Sequence, residues 1–172
     1  MSNQPALFLD VDGVLNCNSS KSSCGIYVGI DKDKVQRLKK IVQETNAIII
    51  LSSDWKIGWQ PHRKYDPEIY PHAKYLDNHL RKKSDNTLFI TDKTPNIRRS
   101  ERGAEINAYL QLHPEITNYV VLDDYYFEDY DEYEIGPHLI WTSHIRGLTD
   151  DDAAAAISLL QGKFIPTYPY TF

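Results

Sequence analysis

Ala6-Leu7-Phe8-Leu9-Asp10-Val11-Asp12-Gly13-Val14-Leu15-Asn16 decides how the rest of the chain is read. Four consecutive apolar residues without polar alternation predict a strand buried on both faces, and such strands belong to parallel sheets covered by helices. The run ends at Asp10, with Asp12 and Gly13 close behind, so two carboxylates two residues apart stand where the chain leaves the sheet. Gly13 lets it turn away sharply. A second apolar run, Ala47-Ile48-Ile49-Ile50-Leu51, ends the same way at Ser52. Between the two, Asp31 is placed to cap a helix over about residues 33–44, where Val35, Leu38, Ile41 and Val42 share one face. This is a βαβ unit, so its two strands should be parallel.

The alternation continues outward. Thr87-Leu88-Phe89-Ile90 predicts a weaker strand, Ala104 to Leu112 a helix, Tyr119-Val120-Val121-Leu122 a third buried strand ending at Asp123, and Leu139-Ile140-Trp141 a fourth. A last helix should start at Thr149 as N-cap, with Asp150–Asp152 at the positive end of its dipole, and run to about Gln161. Pro61, Pro67 and Pro71 interrupt the tract after Trp55 before a helix over about His72–Lys82. The expected fold is a single α/β domain over residues 1–172, three-layered α/β/α and Rossmann-like, with a mostly parallel sheet. The 55–90 insertion and the 16–30 loop would form a small lid. In such sheets ligands bind outside the carboxyl ends of the strands, so the loops after Leu9, Leu51 and Leu122 should converge on one crevice.

The 172 residues suit one domain, and 41% hydrophobic content is enough for a core. With 19 Lys+Arg against 24 Asp+Glu the net charge is −5, which excludes a polycation built to coat nucleic acid. The charge is uneven: seven acids and no base lie between Asp123 and Glu134, whereas Trp55 to Arg102 holds eleven Lys/Arg against six Asp/Glu. No run approaches the ~18 apolar residues of a membrane helix, and Met1-Ser2-Asn3-Gln4-Pro5 lacks the features of a signal peptide, so a soluble cytoplasmic protein is expected, with no membrane partner. Cys17 and Cys24 give no disulfide framework and should stay reduced.

Three strand ends carry the chemistry. A carboxylate such as Asp10, held beside a divalent cation, can attack phosphorus, and a second one, Asp12, can protonate the leaving oxygen. Ser52 and Ser53 bring hydroxyls and backbone N–H groups that can hold phosphoryl oxygens. Asp123 and Asp124 repeat the acid at a strand end. Adjacent carboxylates repel unless a cation or a base compensates, for which a hard, oxygen-ligated Mg²⁺ is the economical explanation.

Phe8-Leu9-Asp10-Val11-Asp12-Gly13-Val14, Ile50-Leu51-Ser52-Ser53 and Val121-Leu122-Asp123-Asp124, in this order at strand ends, resemble the first, second and fourth motifs of the haloacid dehalogenase (HAD) superfamily of aspartate-nucleophile phosphotransferases. The resemblance covers nearly the whole chain. It implies Asp10 as the phosphorylated nucleophile and Asp12 as general acid and then base. Mg²⁺ would sit on the Asp10 carboxylate, the Asp12 main-chain carbonyl and Asp123, with Asp124 acting directly or through water. Ser52 and Ser53 both stand for the phosphate-binding hydroxyl. The third motif should supply a cation, for which Lys93, Arg98, Arg99 and Arg102 are available. Arg102 is preferred, since a side chain at the start of Arg102-Gly103-Ala104-Glu105-Ile106 can point back at the strand ends.

Within the superfamily, Leu51-Ser52-Ser53-Asp54-Trp55-Lys56, Arg102-Gly103-Ala104-Glu105-Ile106, Asp123-Asp124 and Gly147-Leu148-Thr149 look like the small phosphatase domains of nucleic-acid repair proteins, including polynucleotide kinase-phosphatases. In Trp55-Lys56-Ile57-Gly58-Trp59-Gln60-Pro61-His62-Arg63-Lys64-Tyr65, bases interleave with aromatics, a composition that suits a single-stranded nucleic-acid end; the alternative is that both tryptophans pack in the core or lid and the bases solvate a loop. Gly13, Trp55, Lys56, Arg63, Lys64 and Lys93 are the expected substrate-binding residues. The resulting expectation is a Mg²⁺-dependent phosphomonoesterase working through an aspartyl-phosphate on a phosphorylated nucleic-acid end, foremost a 3′-phosphate. The alternatives are a nucleotide or small phosphometabolite substrate, and a catalytically idle binding module, against which the intact Asp10/Asp12/Asp123/Asp124 set argues.

Overall fold

The computed structural model describes residues 4–61, 68–97 and 101–163. Its central sheet contains β1 (Ala6–Leu9), β4 (Ile48–Leu51), β5 (Ile90–Lys93), β6 (Tyr119–Asp123) and β7 (Leu139–Trp141), in spatial order β5-β4-β1-β6-β7 and all parallel. A two-residue hairpin, β2 (Ser23–Cys24) and β3 (Tyr27–Val28), lies in the loop after β1. The helices are α1 (Lys32–Thr45), α2 (Pro71–Lys83), α3 (Arg102–Leu112) and α4 (Asp150–Leu160).

Side chains of β1 alternate between two apolar layers, as the period of a strand dictates. Leu7 and Leu9 join Ile49, Leu51, Val120, Leu122 and the buried faces of α1, α2 and α4. Ala6 and Phe8 point the other way, into a cluster with Ile50, Val121 and Leu139 and with Ile106 and Tyr109 of α3. Both sheet faces are therefore covered, which is the three-layer architecture expected from the continuous apolar runs. Each fully buried Leu, Ile or Phe contributes about 1.5–3 kcal/mol to holding it. Thr149 caps α4 through a reciprocal box: its hydroxyl accepts from the Asp152 N–H, and the Asp152 carboxylate accepts from the Thr149 N–H.

The register sets the site. Leu9 pairs with Leu51 on one side and Leu122 on the other, so Asp10, Ser52 and Asp123 all fall one residue beyond the same level of the sheet.

Three local expectations change. The strand expected over Thr87–Ile90 starts three residues later, because Asp85 and Asn86 adopt positive φ and the Leu88 N–H bonds to the Ser84 hydroxyl, which makes 84–88 the turn closing α2. Asp31 stands at the N-cap position of α1 without a capping bond. Its carboxylate accepts instead from Ser20 and from the Lys34 ammonium, tying the loop after β1 to the helix. In the tract expected as a lid, Trp55, Trp59, Ala73, Leu76 and Leu80 are buried in the first cluster, so its described part contributes core. Among the described residues no helix is long and apolar enough to cross a membrane.

Candidate active site

The carboxyl ends of β1 and β6 bring Asp10, Asp123 and Asp124 together, with one carboxylate oxygen of each within 4.8 Å of the others. Asp10 extends the β1 ladder by one bond, its N–H donating to the Leu122 carbonyl at 3.0 Å. Asp123 accepts from the Tyr125 N–H at 2.9 Å and from the Tyr130 hydroxyl at 3.1 Å. Burial, and then the nearby Asp123 charge, push the Asp10 carboxyl well above its ordinary range, while Arg102 opposes them. Burial likewise pushes Asp123 up to about 6, again against Arg102. Asp124 rises in the same direction, first through burial. Three crowded carboxylates whose protonation is favoured by their surroundings fit a hard divalent cation, which would compensate the charge with oxygen donors alone. Asp10, Asp123 and Asp124 are the residues that would hold it.

Gly13 cannot be another residue here. Its φ is +69°, and a Cβ would overlap the Asp124 carboxylate, so the glycine lets the β1 loop close over the β6 loop. Thr142 locks the same junction: its N–H donates to the Asp123 carbonyl and its hydroxyl to the Gly13 carbonyl, both at 2.8 Å. Asn16 accepts from the Gly13 N–H at 2.9 Å and donates to the Asp12 carboxylate at 2.8 Å. The second Asp12 oxygen accepts from the Trp55 indole N–H at 2.9 Å. Asp12, exposed at the rim, is thus oriented from two sides.

Arg102, the first residue of α3, reaches back over the sheet edge. Its guanidinium lies 3.5 Å from Asp10, 3.8 Å from Asp123 and 3.8 Å from Asp54, with its carbon 5.0 Å from the centre of the Phe127 ring. Gly103 lets the start of α3 pack closely on Asp129, because a Cβ there would meet the Asp129 backbone. Ser53 starts a short 3₁₀ turn over Asp54–Lys56, accepting from the Trp55 N–H, and its side chain lies close enough to Asp10 to favour the charged carboxylate against burial. The Ser52 hydroxyl is buried and finds no hydrogen-bond partner among the described residues. Of the two serines, Ser53 is the one in contact with Asp10.

Several expected substrate contacts are differently employed. Trp55 is 2% exposed, so its ring offers no face to a base; its indole N–H serves Asp12. Trp59 is equally buried and donates to Asp77. The Lys56 ammonium is buried against Glu105 at 2.5 Å, Thr94 at 2.9 Å and the Pro95 carbonyl at 3.0 Å. Lys93 donates to the Trp59 and Lys56 carbonyls, which ties β5 to the loop after β4. These aromatics and bases were drawn inward because the loop after β4 is core. Arg63, Lys64 and Tyr65, together with Arg98 and Arg99, lie outside the described residues.

Composition and spacing did not single out Asn16, Thr142, Tyr130 or Phe127, all of which touch the acids or Arg102. Asn16 carried a signal, lying four residues past Asp12 in the turn after β1; the other three become neighbours only through the fold.

Residues 6–153 match a family model described as the HAD domain in Swiss Army Knife RNA repair proteins. No curated protein and no solved structure matches the chain.

Proposed function

The chain belongs to the family of HAD domains of Swiss Army Knife RNA repair proteins, a HAD-type phosphatase domain in general, and from that premise we propose that it is a Mg²⁺-dependent phosphomonoesterase acting on phosphorylated nucleic-acid ends, foremost a 3′-phosphate. The observation that carries the chemistry is the Asp10/Asp123/Asp124 cluster with the Arg102 guanidinium 3.5 Å from Asp10. A bound Mg²⁺ supplies charge neutralisation for the acids and the incoming phosphate.

Asp10 attacks phosphorus, the bond from phosphorus to the leaving oxygen breaks, and Asp12 delivers its proton to that oxygen. Water then attacks the aspartyl-phosphate, Asp12 takes a proton from it, the bond between phosphorus and the Asp10 oxygen breaks, and inorganic phosphate leaves with Asp10 restored. Asn16 and Trp55 hold Asp12 in place for both transfers. Arg102 and the Ser53 hydroxyl border the position of the phosphoryl oxygens, where charge builds in the transition state.

A nucleotide or other small phosphomonoester is the second reading, and one observation favours it: with Trp55 and Lys56 buried, the strand-tracking surface read from the loop after β4 is reduced. Initial rates on 3′-phosphorylated oligonucleotides, nucleoside monophosphates and sugar phosphates, with Mg²⁺ and with excess chelator, separate these. The proposal expects the oligonucleotide to have the highest kcat/KM and the chelator to abolish turnover. Chelator-resistant activity overturns the metal role, and a preferred sugar phosphate overturns the substrate class.

A further inference from the structure

The segment after β6 places aromatic rings, rather than basic side chains, beside the acids. Tyr125 follows Asp124 directly and is 58% exposed. Its backbone is pinned by the bond from its N–H to Asp123, and its ring stands edge-to-face on Phe127 at 4.9 Å. Phe127 in turn lies under the guanidinium of Arg102, the group 3.5 Å from Asp10. A continuous path of contacts therefore leads from an exposed phenol ring to the position where a phosphoryl group would be attacked. A second exposed ring, Trp141, borders the same loop, its indole N–H donating to the Asp124 carbonyl. Large rings this exposed beside a polar site are a feature of binding surfaces.

The charge around these rings limits what they take. The segment that carries them holds Asp124, Glu128, Asp129, Asp131 and Glu132 and no Lys or Arg between Asp123 and Glu134, so the cation that meets these rings, Arg102 over Phe127, comes from α3 and is already shared with Asp10 and Asp123. A chain of phosphates would be repelled here, whereas an uncharged π-face would not. We propose that Tyr125, backed by Phe127, is the stacking platform for the nucleobase of the terminal nucleotide whose phosphate lies at Asp10, so that this domain recognises one terminal base rather than a tracked strand. This inference rests on the reading of the substrate as a phosphorylated nucleic-acid end.

The test uses the full chain carrying Asp10→Asn, with Mg²⁺, and a 5′-labelled tetranucleotide ending in a 3′-phosphate, compared with the same strand whose terminal residue is abasic. Fluorescence anisotropy gives Kd for each. Loss of the base should weaken binding about 5- to 150-fold, which is the ~1–3 kcal/mol of one base–aromatic stack. Adding Tyr125→Ala should weaken the base-bearing strand by a similar factor and leave the abasic strand unchanged, while Tyr125→Phe should restore binding. Equal affinity for the two strands, or equal weakening of both by Tyr125→Ala, overturns the platform. If neither strand binds, the platform and the nucleic-acid substrate fall together, whereas turnover of a small phosphate ester by the wild type would still support phosphatase chemistry.

Discussion

Replacing Lys56 by Met removes a charge that the folded chain has buried on purpose-built partners. The ammonium meets Glu105, Thr94 and the Pro95 carbonyl, and the two charged side chains of the pair are 3% and 9% exposed. After Lys56→Met, Glu105 keeps the bond from the Ile97 N–H but loses its counter-charge inside the protein. Breaking one side of a buried pair costs about 3–5 kcal/mol, because the remaining ion is left uncompensated. For a chain of this size, ~2–4 °C per kcal/mol converts that to a Tm lower by about 6–20 °C. Removing both charges with Lys56→Met and Glu105→Leu should recover much of the loss, since well-packed apolar replacements of buried pairs are often neutral. Urea denaturation followed by circular dichroism measures all three proteins. A Lys56→Met cost under about 1 kcal/mol, or a double variant no more stable than the single one, refutes the structural role. Unchanged stability with a raised KM would return Lys56 to the substrate.

Arg102→Ala should lower kcat by about 10²–10³-fold, the usual cost of removing a donor aimed at developing negative charge, and Arg102→Lys should recover only part of it; steady-state kinetics on the preferred substrate checks both. The metal-free protein should show a distinct pH dependence. Asp10 and Asp123 are raised above the ordinary carboxylate value, Asp123 to about 6, so their stabilising contribution is fully present below the unfolded value of 3.8 and is lost as pH rises through the folded values. Asp123→Asn escapes that loss, and in chelator its stability relative to wild type should grow from about pH 5 to about pH 7.5 in urea melts; a gap independent of pH contradicts the titration.

What was legible in the sequence is what local physics decides. Apolar runs of four or five residues give β1, β4 and β6, and because the acids and serines sit at the ends of those runs, the Asp10, Ser52 and Asp123 level of the crevice is readable without a structure. Thr149 with Asp152 three residues later announces α4. The β5 boundary was missed because Thr87, Leu88 and Phe89 look like a strand, while the turn that displaces it depends on the left-handed Asp85 and Asn86. The misplaced part of the site has a different cause. Composition cannot tell a base that faces solvent from one that meets a carboxylate 49 residues later, as Lys56 meets Glu105. Nor does it show that Trp55 is buried and holds Asp12, whereas Tyr125, in a stretch rich in Tyr, Asp and Glu, carries the exposed ring.

Covalent phosphorylation of Asp10 is the step on which the proposed mechanism turns. Its most direct test is rapid acid quenching of the protein during turnover of its preferred phosphate ester with Mg²⁺, followed by peptide mass spectrometry. One phosphoryl group is expected on Asp10 in the peptide containing residues 6–16, and neither that group nor turnover in Asp10→Asn. Steady turnover with Asp10 unmodified at every quench time, together with a wild-type rate in Asp10→Asn, would contradict it.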